Sequence, residues 1–294
     1  MIYNSYGDLT THSFLRNRNA ELKLDLATLS QEVSTGKKSN LTAELGGDFS
    51  YLADIENNLN RIESQTVATN ETKLFALSMQ SNLSRIQEGT QLMRDDIISV
   101  STTLNATDAE QFAKEASRQL DAAISSLNGW AGGRSLFSGT ATGTSPLNDA
   151  DTMMSELVLE TAGLTDAADI IQAVKDWFAD PAGFNTLMYN GSTTDLSPVE
   201  IGDGETVSLS LRADDPDLTH SLQSFAILAL MDEPGLALSD EIKIDMTRAG
   251  MTEMADSSSR LVEAQADIGF MEAQLERVST RNQASKTSLS LAFN

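Results

Sequence analysis

Residues 79–104 read MQSNLSRIQEGTQLMRDDIISVSTTL, and within them Met79, Leu83, Ile86, Thr90, Met93, Ile97, Val100 and Leu104 recur at alternating spacings of four and three. That period keeps one stripe of an α-helix apolar and leaves the rest to water, so the stretch predicts a long helix with a narrow seam. A seam this narrow cannot close a core alone and has to lie against another helix. Upstream the seam begins at Leu52, Ile55, Leu59 and Ile62, passes polar Thr66 and Thr69, and is expected to shift register between Lys73 and Met79. Downstream a further helix is expected to open near Thr107 or Asp108 as N-cap and to bury Ala113, Ala116, Leu120, Ala123 and Leu127. Alanines on that face imply a close approach of helices.

The same pattern recurs towards both ends. Leu15, Leu22 and Leu29 are seven residues apart, with Leu26 and Val33 in the alternate position, until Ser34-Thr35-Gly36 interrupts the helix. A break is expected at Gly46-Gly47. After Pro234, Met254, Leu261, Ala264, Ile268, Met271, Leu275, Val278, Asn282, Ser285 and Leu289 keep a three-four seam almost to the last residue. The sequence therefore reads as folded back on itself. The expected fold is mainly α, its long N- and C-terminal helices paired in a coiled-coil-like bundle, with a small α+β insert at the tip. In domain terms, 1–147 and 235–294 form the paired helical assembly domain and 148–234 the insert.

All five prolines, Pro146, Pro181, Pro198, Pro216 and Pro234, fall between 146 and 234, which leaves both flanks free of helix-breaking residues. Gly129, Gly132-Gly133, Gly139 and Gly143 predict a loop or hairpin ahead of Pro146. Within the insert, Ser155 to Glu160 and Thr206 to Arg212 alternate with a period of two and predict strands, whereas Asp166 to Phe178 and Thr219 to Met231 have helical spacing.

Composition excludes several functional classes. The 294 residues carry 20 Lys plus Arg against 43 Asp plus Glu, a formal net charge of -23, which opposes the phosphate neutralisation behind nucleic-acid binding. DNA, RNA and anionic membranes are poor partners for such a surface. The longest apolar run, Phe225 to Met231, is far shorter than the ~20 residues a membrane span needs. The opening residues Met1 to Asp8 lack the basic and apolar regions of a signal peptide, so any export is expected to proceed without a cleaved leader. With no cysteine there is no disulfide framework, thiolate nucleophile or Cys-ligated metal.

Catalytic signatures are equally sparse. There is no G-x-S-x-G, G-x-G-x-x-G or H-E-x-x-H, and Gly36-Lys37 lacks the glycine that a phosphate loop requires. His12 and His220 are isolated and read as structural. Asp214-Asp215-Pro216-Asp217 lacks the alternating oxygens of an EF-hand and reads as a turn leading into a helix. The protein is therefore read as non-enzymatic, without cofactor or metal. Its candidate site is an assembly seam: Leu15, Leu22, Leu26, Leu29 and Val33 in the first helix, and Leu261, Ile268, Met271, Leu275, Val278 and Leu289 in the last. Helix ends ordinarily fray unless something docks them, so seams this strong near the termini point to contacts with other subunits.

Three short motifs carry a family resemblance. Val33-Ser34-Thr35-Gly36-Lys37-Lys38 resembles the segment that closes the first helix in bacterial flagellins and in hook-filament junction proteins, also called hook-associated protein 3. Gly133-Arg134-Ser135-Leu136-Phe137-Ser138-Gly139 is similar to the junction proteins' turn after their long helices, and Asp267-Ile268-Gly269 with Leu275 to the family's C-terminal helix. The resemblance covers about residues 10–145 and 235–294. It implies a structural flagellar subunit, extracellular, exported by the flagellar type III route and assembled through its terminal helices. The implied partners are flagellin, neighbouring hook-associated proteins, copies of itself and an export chaperone. Junction protein is the first reading and flagellin the second; a non-flagellar helical scaffold or signalling hairpin is a further alternative, which the five-proline insert disfavours.

Overall fold

The structure is a computed structural model and describes residues 5–36, 39 and 50–293. It divides into two compact units, Met1–Ser64 with Arg281–Asn294, and Gln65–Thr280. Among the described residues the elements are α1 (Ser5–Thr35), α2 (Ser50–Val100), α3 (Ala106–Leu127), a hairpin of β1 (Trp130–Ala131) and β2 (Arg134–Ser135), α4 (Ala150–Glu160), α5 (Ala167–Ala179), α6 (Phe184–Leu187), a second hairpin of β3 (Val199–Gly202) and β4 (Glu205–Val207), α7 (Pro216–Ala229) continued by a 3-10 turn at Leu230–Asp232, and α8 (Asp240–Phe293). The architecture is thus mainly helical, with long N- and C-terminal helices and short antiparallel strand pairs. The Gly46-Gly47 break falls outside the described residues.

In the smaller unit α1 ends where expected, its last residue Thr35 followed by Gly36. The opening turns of α2 and the last turns of α8 supply its buried side chains: Ile55 and Ile62 on one, Asn282 on the other. Lys286 Nζ on α8 lies 3.3 Å from Glu63 Oε1 on α2. An apolar pair of positions and a flanking ion pair are the ingredients of a coiled-coil contact.

In the larger unit one continuous core joins α2, α3, α7 and α8. On α2 the buried row runs through Gln65, Thr69, Thr72, Ala76, Met79, Leu83, Ile86, Thr90, Met93 and Ile97 in unbroken three-four spacing. The register shift expected between Lys73 and Met79 therefore does not occur. Polar Gln65 and Thr72 occupy the seam there, and both find partners: Thr72 Oγ1 donates within the helix to Ala68 O at 2.8 Å, and Gln65 Nε2 donates to Asp203 Oδ1 in the β3–β4 turn at 3.0 Å. The helix stops at Val100, so Leu104, although buried, lies beyond its end.

Helix α3 opens two residues before the expected position. Asn105 is its N-cap, accepting from the amides of Thr107 and Asp108 while Asp108 reaches back, a capping box that an Asn as readily as an Asp provides. Ala113, Ala116, Leu120, Ala123 and Leu127 are all buried as expected. The small side chains let α3 pack along α7, on which Leu218 and every residue from Ser221 to Ala229 is buried. Segment 148–234 thus contributes its last helix to the core that the long helices line.

The strand expected at Ser155 to Glu160 is helix. Asp149 caps α4 through Thr152 N at 2.9 Å, and Met153, Met154 and Leu157 face the core at helical spacing while Leu159 is exposed. Six residues are too few to separate a period of two from one of 3.6. From Thr206 to Arg212 only Thr206 and Val207 belong to a paired strand, yet the alternation holds beyond it, with Val207 and Leu209 buried and Ser208 and Ser210 exposed.

Candidate assembly surface

The seam residues fall into two groups. On α1, Leu15, Leu22, Leu26, Leu29 and Val33 are between 53% and 86% exposed, and Phe14 and Leu24, off the seam, are as open. On α8, Leu261, Ile268, Leu275 and Val278 are buried within the protein's own core, while Met271 and Leu289 are half-buried. The structure therefore seals most of the α8 group internally and leaves the α1 group bare. Each Leu of that row yields about 1.5–3 kcal/mol on full burial, so the bare row is a large unspent driving force for association.

Phe14 and Leu24 lie outside the three-four register, so the seam spacing does not single them out. The adjacent apolar pair Phe14-Leu15 was the available signal, since two neighbours cannot face one partner helix.

The turn from Gly133 to Gly139 has a definite mechanical role. Gly132 and Gly133, both at positive φ, close the β1–β2 hairpin. Arg134 then lays its guanidinium 5.7 Å from the centre of the Phe75 ring on α2. Leu136 and Phe137 enter the core. The backbone around them is bonded outwards in two directions: Ser192 N donates to Ser138 O at 2.9 Å, and Ala213 N to Phe137 O at 2.9 Å. Seven residues thus tie the end of α3 to α2, to the loop after α6 and to the start of α7.

The same region holds the densest charge cluster. Arg212 Nε donates to Asp214 Oδ1 at 2.8 Å, another guanidinium nitrogen to Asp195, and its backbone amide to Asp215 Oδ2 at 2.6 Å. Asp214, with Asp215 and Asp195, holds the guanidinium firmly charged, while burial pushes the Asp215 carboxyl up. Burial and then Asp214 push the neighbouring Tyr189 phenol up, keeping its hydroxyl a donor, to Ser192 O at 3.0 Å. The Asp214–Asp217 run is therefore an ion-paired turn into α7. His220 on α7 sits among charges from α5 and α8, its Nε2 3.7 Å from Glu253 Oε2 on α8, whose other oxygen accepts from Lys175 of α5 at 2.6 Å. Among the described residues no group of three or more His, Asp or Glu is placed to hold a metal ion, and no helix is long and apolar enough to cross a membrane.

Long helices paired through polar-tolerant seams, a hairpin turn stapling α3 to α2, and a helix with an open apolar row define a class: long-helix proteins that leave one apolar stripe in solvent. A candidate flagellar hook-associated protein from Vibrio parahaemolyticus has a similar structure, with a TM-score of 0.59 over 87% of this protein and 97% of that one. The two sequences are 18% identical, so the likeness is one of fold. No family model matches the sequence, and no curated protein matches it.

Proposed function

We propose that this protein is a non-enzymatic structural subunit of the bacterial flagellum, and specifically the hook-filament junction protein. The observation that carries the reading is α1, a helix of 31 residues whose seam is exposed in the isolated subunit, on a fold shared with a hook-associated protein. A row of leucines in water is a docking surface awaiting a partner. In this reading the partners are flagellin, adjoining hook-associated proteins and copies of the subunit itself, with a chaperone covering the apolar row before export. The subunit acts outside the cell, exported unfolded through the flagellar type III route.

Immuno-electron microscopy with antibodies to residues 148–234 tests this. Label confined to the base of the filament is the expected result. Label along the whole filament would make the protein a flagellin instead, and label absent from flagella would remove it from the organelle in favour of a cytoplasmic scaffold.

A further inference from the structure

Two Asn-Gly dipeptides occur in the sequence, Asn128-Gly129 and Asn190-Gly191. Such a pair can react with itself. The glycine amide nitrogen, once deprotonated, attacks the carbonyl carbon of the Asn carboxamide; a C–N bond forms to give a five-membered imide, and the carboxamide's own C–N bond breaks, its nitrogen leaving as ammonia with the protons restored from water. Water then adds to either imide carbonyl, leaving Asp or isoaspartate. The net change is hydrolysis of one amide, without redox chemistry. Glycine permits the approach because it has no Cβ. In a folded protein the deciding factors are whether the glycine N–H is free and whether the Asn side group is held.

Asn128 is locked on both counts. Its Nδ2 donates to Leu147 O at 3.0 Å, its Oδ1 accepts from Leu147 N at 2.9 Å, and the Gly129 amide is committed to Ser126 O at 3.1 Å. Behind Gly129 stands Asn82, whose Nδ2 would lie 2.8 Å from a Cβ there. Asn190 is different: it is exposed, its carboxamide makes a single bond, Nδ2 to Asn148 Oδ1 at 2.8 Å, and the Gly191 N–H has no partner among the described residues.

We propose that Asn190 is a site of spontaneous conversion to aspartate and isoaspartate, and that Asn128 is protected from the same reaction by the fold. The product alters a defined junction. Asn190 N donates to Pro146 O at 2.7 Å next to the Leu147–Tyr189 bridge, so these bonds clamp 146–148 against 187–190. A carboxylate cannot donate to Asn148 Oδ1, and isoaspartate inserts an extra backbone carbon beside the bridge. Conversion therefore adds negative charge and loosens this clamp.

The test is a time course of the folded full-length protein at mildly alkaline pH, with trypsin mapping and isoaspartyl methyltransferase labelling. Cleavage at Lys175 and Arg212 isolates Asn190 in one peptide, and cleavage at Arg118 and Arg134 isolates Asn128 in another. Fragment ions separate Asn190 from Asn185 in the first. Asn190 is expected to convert at least about tenfold faster than Asn128 in the folded protein, and the two at comparable rates in urea, where local protection is gone. Equal rates in the folded protein, or faster conversion of Asn128, would overturn the proposal. So would an intact Asn190 in the folded protein after the urea-treated sample has converted.

Discussion

Gly139 packs against the backbone of Ser192: a Cβ added at Gly139 would stand 2.5 Å from Ser192 O and 2.6 Å from Thr194 O. Gly139 also has a φ of 58°, in the left-handed region that L residues avoid. Both constraints fall on the turn that staples α3 to α2 and α7. Gly139→Ala is expected to cost about 2–4 kcal/mol, the left-handed strain plus the forced displacement of the loop after α6. Gly133 at φ 77° has open space where its Cβ would be, so Gly133→Ala should cost only about 1 kcal/mol. Urea unfolding of both variants checks the ranking, and equal losses would show that the contact with Ser192 adds nothing.

Leu275 is wholly buried in the protein's own core, whereas Leu74 on α2 is 55% exposed. Leu275→Ala is expected to destabilise the isolated subunit by about 3 kcal/mol through lost burial and a residual cavity, and Leu74→Ala by no more than about 0.5 kcal/mol. Thermal denaturation of the purified monomers measures both. A neutral Leu275→Ala would mean that the α8 seam is satisfied by other subunits and not by this one.

That contrast marks how far the sequence could be read. Alternating spacings of three and four identify α1, α2, α3 and α8 because each presents an apolar stripe too narrow for any other structure, and the rows Met79 to Ile97 and Ala113 to Leu127 are buried as their period requires. What period cannot say is whose surface covers a seam. Leu26 and Leu275 occupy equivalent positions in their repeats, each with its next seam neighbour three residues on, yet one is bare and the other sealed, a difference fixed by long-range pairing. Polar seam residues hide the true register at Gln65 and Thr72, where a long-range bond to Asp203 and a bond within the helix make burial tolerable. The strand expected at Ser155 to Glu160 misled because a short apolar run fits either period. Proline content suggested that 148–234 stood apart, but α7 follows its own proline at the first helical turn and is buried from Ser221 to Ala229.

Acidification should weaken the contact of α5, α7 and α8. Burial first, and then the Arg260 charge, pull the His220 imidazole below its usual range, against the opposing pull of Glu253 and Asp256; Lys175 also disfavours protonation. The unfolded state, with an ordinary His near pH 6.5, then binds the proton before the folded one does, so stability present above about pH 6.5 is lost as pH falls towards the lowered folded value. Glu233 and Asp215, pushed up by burial, act in the opposite sense at lower pH. Subtracting a His220→Gln variant isolates the histidine: in urea titrations at about pH 7.5 and 5.5 the wild type should lose more stability than the variant. Parallel losses would remove His220 from the account.

The bare row on α1 separates folding from assembly. Leu22 is 53% exposed and Leu26 66%, and neither contributes to the buried core. Two carboxylates there meet water in the isolated subunit, so Leu22→Asp with Leu26→Asp should leave its unfolding midpoint within the shift expected for about 0.5 kcal/mol per site. Buried against a neighbouring helix, the same carboxylates would each cost several kcal/mol, having no partner cation to offset their desolvation. The variant should therefore be exported and fold normally yet fail to enter flagella, leaving monomer in the culture medium. Normal incorporation would show that α1 is not the docking surface. Loss of the folded monomer would show instead that α1 is covered within the subunit in solution.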